Sequence, residues 1–406
     1  VDFKNEEADV DGARGPRGKQ LQSLLHLPQD PTRENAMETN PLVDAKSTEA
    51  AALFPKAPPN ILYSIFPLRW LWHFFTRRFP VLRAFGCKWN ATEPQATLLM
   101  DGIMYGEGPR FRLKENAVYF SDMYAKKVYK YDLATKRSTT VYESDDYLSG
   151  LGWLPDDRLL IVAMNTRRIL ALDQKTDKAE EYADVSALTR FRANDFVVDV
   201  SGRAYVGNFG FDYTKISECC KTTAVRIDPD RSVHLGATGL FFPNGNVITP
   251  DGKTLIIAET FEGHLTAFDI APNGSLSNRR VWAYVGLPCD GIALDAEGCV
   301  WVAVPHVGVH KTAGAIVRVR EGGEITNLYG FGQNGISGGV FACQLGTDST
   351  TGKHFLYFLE ADYSEEHIVL KNGPEKAVKN GTLKTIEVPV GPARVPGDER
   401  YCGGYC

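Results

Sequence analysis

The sequence predicts an all-β protein, a six-bladed β-propeller with an N-terminal partly disordered extension. The first observation is a short motif, a polar residue followed by a small or short one, that recurs at intervals of 42 to 50 residues. The second is that each copy precedes an apolar run and a turn. This period is typical of propellers with about four strands per blade. The six copies are Glu107-Gly108, Ser149-Gly150, Asn194-Asp195, Asn244-Gly245, Asp290-Gly291 and Ser337-Gly338.

Length and composition agree with this fold and restrict the function. The chain has 406 residues, of which 43% are hydrophobic and 11% aromatic, so it can bury a large core. Six blades need roughly 300 residues, which leaves about the first ninety as an extension. The formal net charge of -5 is small for this length and does not favour nucleic acid as a partner. We therefore expect a small-molecule substrate.

The chain divides into four segments. Residues 1–58 are rich in charged residues, proline, asparagine and glutamine, which predicts a mobile polar extension. Residues 59–95 form an aromatic and arginine-rich segment, residues 96–392 the propeller and residues 393–406 a C-terminal tail. The sequence begins with Val1 rather than Met, so the localisation stays open between soluble and membrane-peripheral.

The segment from residue 60 to residue 85 mixes aromatic and aliphatic side chains with Arg69, Arg77, Arg78 and Arg83. A spanning helix needs about 20 mostly apolar residues, and the uncharged runs here are shorter. Aromatic residues interspersed with arginines suit peripheral contact with a membrane surface. Packing on the outside of the propeller explains the same pattern, and the sequence does not separate the two interpretations.

From Ala96 onward, short apolar runs alternate with turns, and no amphipathic helix pattern competes with them. Later strands such as Thr254–Ala258, Cys299–Ala303 and Phe355–Leu359 each follow a turn. We expect the sixth blade to end between residues 382 and 390. The strand over residues 96–100 should join that blade, so that the ring closes without a free edge.

The motif also predicts a functional site. The innermost strand of each blade runs along the central channel, so the polar residues of successive copies form a ring. Carboxylate and amide oxygens from Glu107, Asn194, Asn244 and Asp290 are the ligands that hard divalent cations prefer. We predict one divalent cation at the channel mouth, Ca²⁺ first and Zn²⁺, Mg²⁺ or Mn²⁺ as alternatives. A polar channel that holds only water remains the other interpretation.

Four segments together resemble a known family. Residues 106–111 read Gly-Glu-Gly-Pro-Arg-Phe, residues 192–195 Arg-Ala-Asn-Asp and residues 243–245 Pro-Asn-Gly, and the stretch from Cys289 to Ala303 carries the fifth copy. In this order they resemble the senescence marker protein, gluconolactonase and luciferin-regenerating enzyme family over roughly residues 96 to 390.

The resemblance implies a propeller with one catalytic cation, held by the residues that match Glu107, Asn244 and Asp290. It places Asn194 beside the cation, as a fourth ligand or a substrate contact. It also implies substrate contacts from Arg192 and from Asp212, where the shorter acid departs from the family pattern. The N-terminal extension lies outside the resemblance.

The implied activity is a hydrolase acting on carboxylic ester bonds, which opens a sugar lactone or similar cyclic ester. Asp290 would combine metal ligation with general-base duty, because a cation lowers the pKa of bound water. Asn194 and Arg192 would donate hydrogen bonds to the oxyanion or to substrate hydroxyls. Phosphotriester hydrolysis on the same propeller and a non-catalytic calcium-binding propeller are the alternatives.

Three other sequence features bear on the function. The segment from Gly335 to Gly339 fits the Gly-x-Ser-x-Gly pattern of serine hydrolases, but a strand rather than a helix is expected after Ser337, which argues against a nucleophilic elbow. His306 and His310 either reach the mouth or are ordinary loop or core residues. The eight cysteines show no zinc spacing, and their disulfide state stays open.

Overall fold

A computed structural model describes residues 94–212, 218–305, 314–361 and 379–394 of the chain. Within these ranges, 24 strands form six four-stranded sheets, and every pairing between neighbouring strands is antiparallel. No described residue lies in an α-helix, and a 3₁₀ turn spans Leu113–Glu115. The predicted all-β, six-bladed propeller is confirmed.

Each of the first three blades consists of four consecutive strands, ordered from the channel outward. Blade 1 contains β2 (Gly106–Arg112), β3 (Ala117–Asp122), β4 (Lys127–Asp132) and β5 (Arg137–Glu143). Blade 2 contains β6 (Leu148–Trp153), β7 (Leu159–Ala163), β8 (Arg168–Asp173) and β9 (Lys178–Asp184). Blade 3 contains β10 (Ala193–Val198), β11 (Ala204–Asn208), β12 (Thr222–Ile227) and β13 (Val233–Leu240).

The next two blades repeat this order, and the last one is completed from the other end of the chain. Blade 4 contains β14 (Pro243–Ile248), β15 (Thr254–Glu259), β16 (His264–Ile270) and β17 (Leu276–Tyr284). Blade 5 contains β18 (Ile292–Leu294), β19 (Val300–Val304), β20 (Ala315–Val319) and β21 (Ile325–Gly330). Blade 6 contains β22 (Gly339–Thr347), β23 (His354–Ala361), β24 (Gly381–Glu387) and β1 (Thr97–Ile103).

The ring closes as predicted. The first strand, β1, pairs antiparallel with β24, with Thr97 opposite Thr385, and so becomes the outermost strand of blade 6. The edge of the last sheet is thereby covered by the start of the propeller, which is how this architecture avoids an open edge between its two chain ends.

Burial decreases from the channel outward. Every residue of β2, β6, β10 and β14 is buried, because these strands pack against both neighbouring blades. The outer strand β5 is mostly exposed. The core consists of apolar layers between the blades, in which Trp153 and Trp301 are fully buried. The inner strands are therefore held rigidly at the channel.

The polar motif has a defined backbone structure, a β-bulge in the inner strand. The pairing register shifts by one residue between Glu107 and Arg110, and similar shifts span the second, third and fourth copies. Gly108 has φ +53°, and a Cβ there would meet the Ser149 carbonyl oxygen at 2.9 Å. A bulge bends the strand and redirects the side chain beside it. This explains why the polar residue is followed by a small one.

The sixth ring position differs from the predicted Ser337-Gly338 pair. Ser337 lies before β22, where its backbone N–H donates to Glu360 Oε1 at 3.0 Å. A Cβ on Gly291 would meet Ala342 Cα at 2.7 Å, just as one on Gly245 would meet Gly291 Cα at 2.7 Å. By this blade-to-blade contact the sixth ring position is Phe341, whose carbonyl accepts from Gly291 N at 2.9 Å. The ring thus carries an aromatic residue in blade 6.

Several predictions fall on residues outside the described ranges. These are the polar extension, the aromatic and arginine-rich segment up to residue 93, the C-terminal tail from residue 395, His306 and His310. Among the residues that the structure does describe, no helix is long and apolar enough to cross a membrane.

Candidate functional site

The four predicted ligands lie at the same end of the inner strands, at the mouth of the channel. Glu107 and Asn194 lie near the starts of β2 and β10, Asn244 near the start of β14, and Asp290 two residues before β18. All four are at least 94% buried. Bulges lie beside the first three of these residues, and residues that are 46 to 87 positions apart along the chain share one site.

Asn244 and Asp290 are in direct contact. The amide of Asn244 donates a hydrogen bond to the Asp290 carboxylate, and its Nδ2 also donates to Thr260 Oγ1 at 3.3 Å. Thr260 Oγ1 in turn donates to the Cys289 carbonyl at 2.7 Å. Because these contacts engage the nitrogen of Asn244, its carbonyl oxygen is the atom left to face a cation.

Asn194 is held by its two neighbouring blades. Its Oδ1 accepts a hydrogen bond from Ser149 Oγ at 3.4 Å, and its Nδ2 donates to the Pro243 carbonyl at 3.4 Å. Both contacts are long, so they orient the amide without fixing it tightly. Ser149, which has the weakest ligand group among the polar ring residues, thus has a positioning role that the sequence did not reveal.

A buried ion pair below the mouth was not predicted. Arg110 Nη2 donates to Asp195 Oδ1 at 2.9 Å and to the Phe196 carbonyl at 2.7 Å, and the Arg110 and Asp195 side chains are 3% and 7% exposed. The pair crosses blade 2 where Gly150 lies, and a Cβ on Gly150 would meet Asp195 Oδ1 at 2.7 Å. Asp195 occupies the position that is glycine in the other copies of the motif. Its ion pair with Arg110 joins blade 3 to blade 1.

The two ring carboxylates are electrostatically unsatisfied. Burial, and then the charges of Asp290 and Asp195, raise the pKa of Glu107 well above its usual range. Burial and the charge of Asp195 likewise raise the pKa of Asp290. Asp290 Oδ1 is buried without any hydrogen-bond partner in the described protein. Such a cluster of buried acids is unfavourable by itself and calls for a positive charge.

A divalent cation fits this donor set. Two carboxylates and two amides supply only oxygen atoms, and the orphaned oxygen of Asp290 is a ligand without a partner. In the described part of the chain, no three histidine, cysteine, aspartate or glutamate side chains converge as a metal cluster. The candidate centre therefore depends on the amide oxygens of Asn194 and Asn244 as well as on the two acids.

The two predicted substrate contacts also lie at the mouth. Arg192 is half-buried two residues before Asn194, and its guanidinium lies 5.0 Å from the centre of the Tyr147 ring. Asp212 is half-buried just after β11, beside the buried Phe211. The backbone N–H of Phe209, three residues before Asp212, donates to the Arg192 carbonyl at 2.9 Å, so the two residues belong to adjacent segments of blade 3. That they contact a substrate stays a prediction.

Aromatic residues recur next to the ring residues, and the sequence predictions above do not include them. At the position two residues before the ring residue, four successive blades carry Tyr105, Tyr147, Arg192 and Phe242. Further phenylalanines flank this position in blades 3 and 4. A comparison of the copies at this offset would have revealed the pattern, because the position precedes every bulge and faces the same end.

The competing nucleophiles find no support. Ser337 Oγ lies 3.2 Å from Glu360 Oε1, and the residues after it continue as β22 rather than as a helix. The cysteines that the structure describes are free and buried: Cys219, Cys220, Cys289, Cys299 and Cys343. Burial raises the pKa of the Cys219 thiol to about 12, which makes it unreactive.

The protein is thus a six-bladed propeller with a ring of carboxylates and amides at the mouth of its channel. Residues 105–348 match the family described as the SMP-30/Gluconolactonase/LRE-like region. The chain belongs to this family, as the resemblance in the sequence predicted.

Three curated proteins are similar to this chain over about half of its length. A pentonolactonase of Haloferax volcanii is 28% identical over 204 residues, which span 49% of this chain and 66% of that protein. The gluconolactonase of Zymomonas mobilis is 23% identical over 238 residues, or 51% of this chain and 67% of that protein. The regucalcin of Xenopus laevis is 30% identical over 211 residues, or 50% of this chain and 69% of its own length.

Solved structures share the architecture. The luciferin-regenerating enzyme superposes with a TM-score of 0.60 at 18% identity, covering 74% of this chain and 98% of that chain. Regucalcin of Agrobacterium tumefaciens, described as a calcium-binding protein, has a TM-score of 0.58 at 18% identity and covers 76% of this chain and 96% of its own. At such identities the likeness establishes the fold alone.

Proposed function

We propose that this protein is a divalent-cation-dependent hydrolase that opens lactones. The observation that carries the proposal is the pair of buried acids, Glu107 and Asp290, with one carboxylate oxygen left without a partner. Membership of a family with relatives named pentonolactonase and gluconolactonase supports a cyclic ester as the substrate. Relatives named regucalcin, one of them described as a calcium-binding protein, support Ca²⁺ as the first choice.

Glu107, Asn194, Asn244 and Asp290 would hold the cation. When bound, it would act as a Lewis acid toward the lactone carbonyl and lower the pKa of water. Thr260 and Ser149 orient the two amides through the hydrogen bonds described above. Outer contacts of this kind are known to affect metal affinity by about 10- to 100-fold.

Asp290 would take the proton from the attacking water. Its carboxylate is buried, its Oδ1 has no partner, and Asn244 fixes its orientation by donating to it. A base must lie within hydrogen-bond reach of the proton that it takes, and the unpartnered Oδ1 of Asp290 beside the other predicted ligands meets that requirement. Glu107 is constrained by the bulge at Gly108 and Pro109, which suits a fixed ligand instead.

Arg192 and Asn194 would bind the oxygen atoms of the substrate. The guanidinium of Arg192 packs on Tyr147, so its orientation at the mouth is restrained by an aromatic face. Asp212 would accept a hydrogen bond from a polar substituent. Removal of one donor to a developing oxyanion typically lowers turnover by about 100- to 1,000-fold.

A proton-release screen tests this proposal. Unsubstituted lactones, aldonolactones, alkyl lactones and organophosphates are supplied to the full chain with Ca²⁺, Zn²⁺, Mg²⁺ or Mn²⁺, and after exhaustive chelation. Lactone turnover that disappears on chelation and returns with one cation is the expected result. Full turnover after chelation would rule out the cation. Binding of Ca²⁺ without turnover of any ester would indicate a calcium-binding propeller.

A further inference from the structure

A cluster of six phenylalanines covers the part of the mouth formed by blades 3 and 4. We call it the phenylalanine cluster; it consists of Phe191, Phe209, Phe211, Phe241, Phe242 and Phe261. Its ring centroids are linked at distances from 4.6 Å, between Phe209 and Phe242, to 6.5 Å, between Phe191 and Phe209. The rings therefore form one continuous apolar surface rather than isolated contacts.

The phenylalanine cluster lies directly beside the ring of predicted ligands. Phe191 precedes Asn194 by three residues and Phe242 precedes Asn244 by two, so the apolar surface begins where the predicted ligands of blades 3 and 4 end. Phe191, Phe241, Phe242 and Phe261 are half-buried, while Phe211 is 3% exposed. The inner members thus belong to the core and the outer members face the mouth.

The buried carboxylate of Glu259, in blade 4, holds part of this surface in place. Glu259 at the end of β15 accepts the backbone N–H of Phe241 at 2.7 Å. Burial opposes ionisation of Glu259, but hydrogen bonds from His264 and Thr266 and the charge of Arg279 lower its pKa to about 2. Glu259 therefore stays ionised at neutral pH and anchors the loop that carries Phe241 and Phe242.

Phe242 is held in a strained backbone conformation. Its φ is +57°, in the left-handed region that glycine adopts without penalty and that bulky residues rarely adopt. Such strain is of order 1–3 kcal/mol, and it persists where the surroundings fix the conformation. The strained backbone directs the ring toward Phe209 at 4.6 Å and Phe261 at 5.0 Å. Glycine would close this turn without strain, so the phenyl ring of Phe242 has a role besides closing the turn.

We propose that the phenylalanine cluster binds a hydrocarbon substituent of the substrate, so that the preferred substrate is a lactone carrying an alkyl or aryl group. This inference rests on the proposed lactonase function and specifies its substrate class. A phenylalanine ring offers apolar contact and no hydrogen bond, whereas a polyhydroxylated sugar lactone needs several polar partners. Two guanidinium groups lie beside this surface: that of Arg192 is 5.5 Å from the centre of the Phe191 ring, and that of Arg190 donates to Cys220 Sγ at 3.4 Å.

The test compares the parent with Phe242→Gly on three lactones in Ca²⁺. One lactone has an unsubstituted five-membered ring, the second has the same ring with a hexyl chain, and the third is an aldonolactone. We expect the parent to prefer the hexyl lactone in kcat/KM. Phe242→Gly should reduce that preference by roughly 10- to 100-fold, the range for a hydrophobic pocket. Its kcat/KM for the unsubstituted lactone should stay within about threefold of the parent value.

Phe331→Gly is the matched control. Phe331 has nearly the same φ, +55°, and is half-buried, but it packs on the blade 5 core outside the phenylalanine cluster. Its variant should keep the hexyl preference. Calorimetric binding of the hexyl-substituted lactam, which resists hydrolysis, gives a second readout and should weaken only in Phe242→Gly.

The outcomes distinguish failure of the proposed substrate class from failure of the proposed lactonase function. Lactone turnover with no hexyl preference in the parent, or an equal loss on all three lactones in Phe242→Gly, would overturn the substrate class and leave the lactonase function intact. A parent that prefers the aldonolactone would also overturn it. If no lactone is hydrolysed with any cation, the proposed function fails, and the inference fails with it.

Discussion

Two aspartates of blade 5, Asp290 and Asp295, lie five residues apart and are 6% and 1% exposed. Every oxygen of Asp295 has partners: Oδ1 accepts the N–H groups of Glu297 and Cys299 at 3.0 Å, and Oδ2 accepts from Trp301 Nε1 at 3.1 Å and Arg318 Nε at 2.6 Å. The Asp290 carboxylate accepts from the Asn244 amide and the Gly291 backbone N–H, while its Oδ1 has no partner. Burial alone does not mark a functional acid; burial without a partner does.

The largest expected effect is on turnover. Asp290→Asn keeps the shape and one oxygen donor but removes the charge and the basic site. If Asp290 is both ligand and base, turnover should fall by roughly 100- to 10,000-fold and stay low at saturating cation. The measurement is turnover against cation concentration for Asp290→Asn beside Glu107→Gln. Recovery of Asp290→Asn to near the parent rate would leave ligation as its only role.

Asp295→Asn should affect stability instead. It removes the charge that pairs with the buried guanidinium of Arg318, and breaking a buried pair typically costs about 3–5 kcal/mol. Urea denaturation of the variant and the parent gives the difference in the free energy of unfolding. Turnover per folded molecule should remain near the parent value below the transition. A loss of turnover without a loss of stability would contradict the comparison.

A cation should stabilise the protein through one aspartate and not the other. A ligand that binds only the folded state adds about 2.7 kcal/mol at 100 times its Kd. Ca²⁺ should therefore raise the Tm of the parent and of Asp295→Asn, and have little effect on Asp290→Asn. Differential scanning calorimetry with and without chelator checks this. An equal rise in all three proteins would place the cation elsewhere.

The smallest expected effect is a pH dependence of the chelated protein. Burial and neighbouring acids raise the folded-state pKa values of Glu107 and Asp290 above their unfolded values of about 4. The folded state therefore binds more protons, and stability should fall as pH rises from about 4 through these raised pKa values. Asp290→Asn should flatten this decline, while Asp295→Asn should keep its slope. A parent without such a decline would show that the acids are already neutralised.

The fold and the ring positions of the four predicted ligands follow from the sequence. The period of the motif implied the blades, and the inner strand of each blade must line the channel, so the alignment of Glu107, Asn194, Asn244 and Asp290 followed from topology. The ring closure through β1 followed from the need to cover an open edge. These features depend on local patterns repeated along the chain, which a sequence displays directly.

The partners of each side chain depend on contacts between segments that are far apart in the sequence. The sixth ring residue is Phe341 rather than Ser337, because contacts between blades set that position and a Ser-Gly pair is common in loops. The pairing of Arg110 with Asp195 joins residues 85 positions apart, and no local pattern announces it. Asp290 and Asp295 read alike in sequence, and whether a buried oxygen has a donor depends on strands brought together from distant segments.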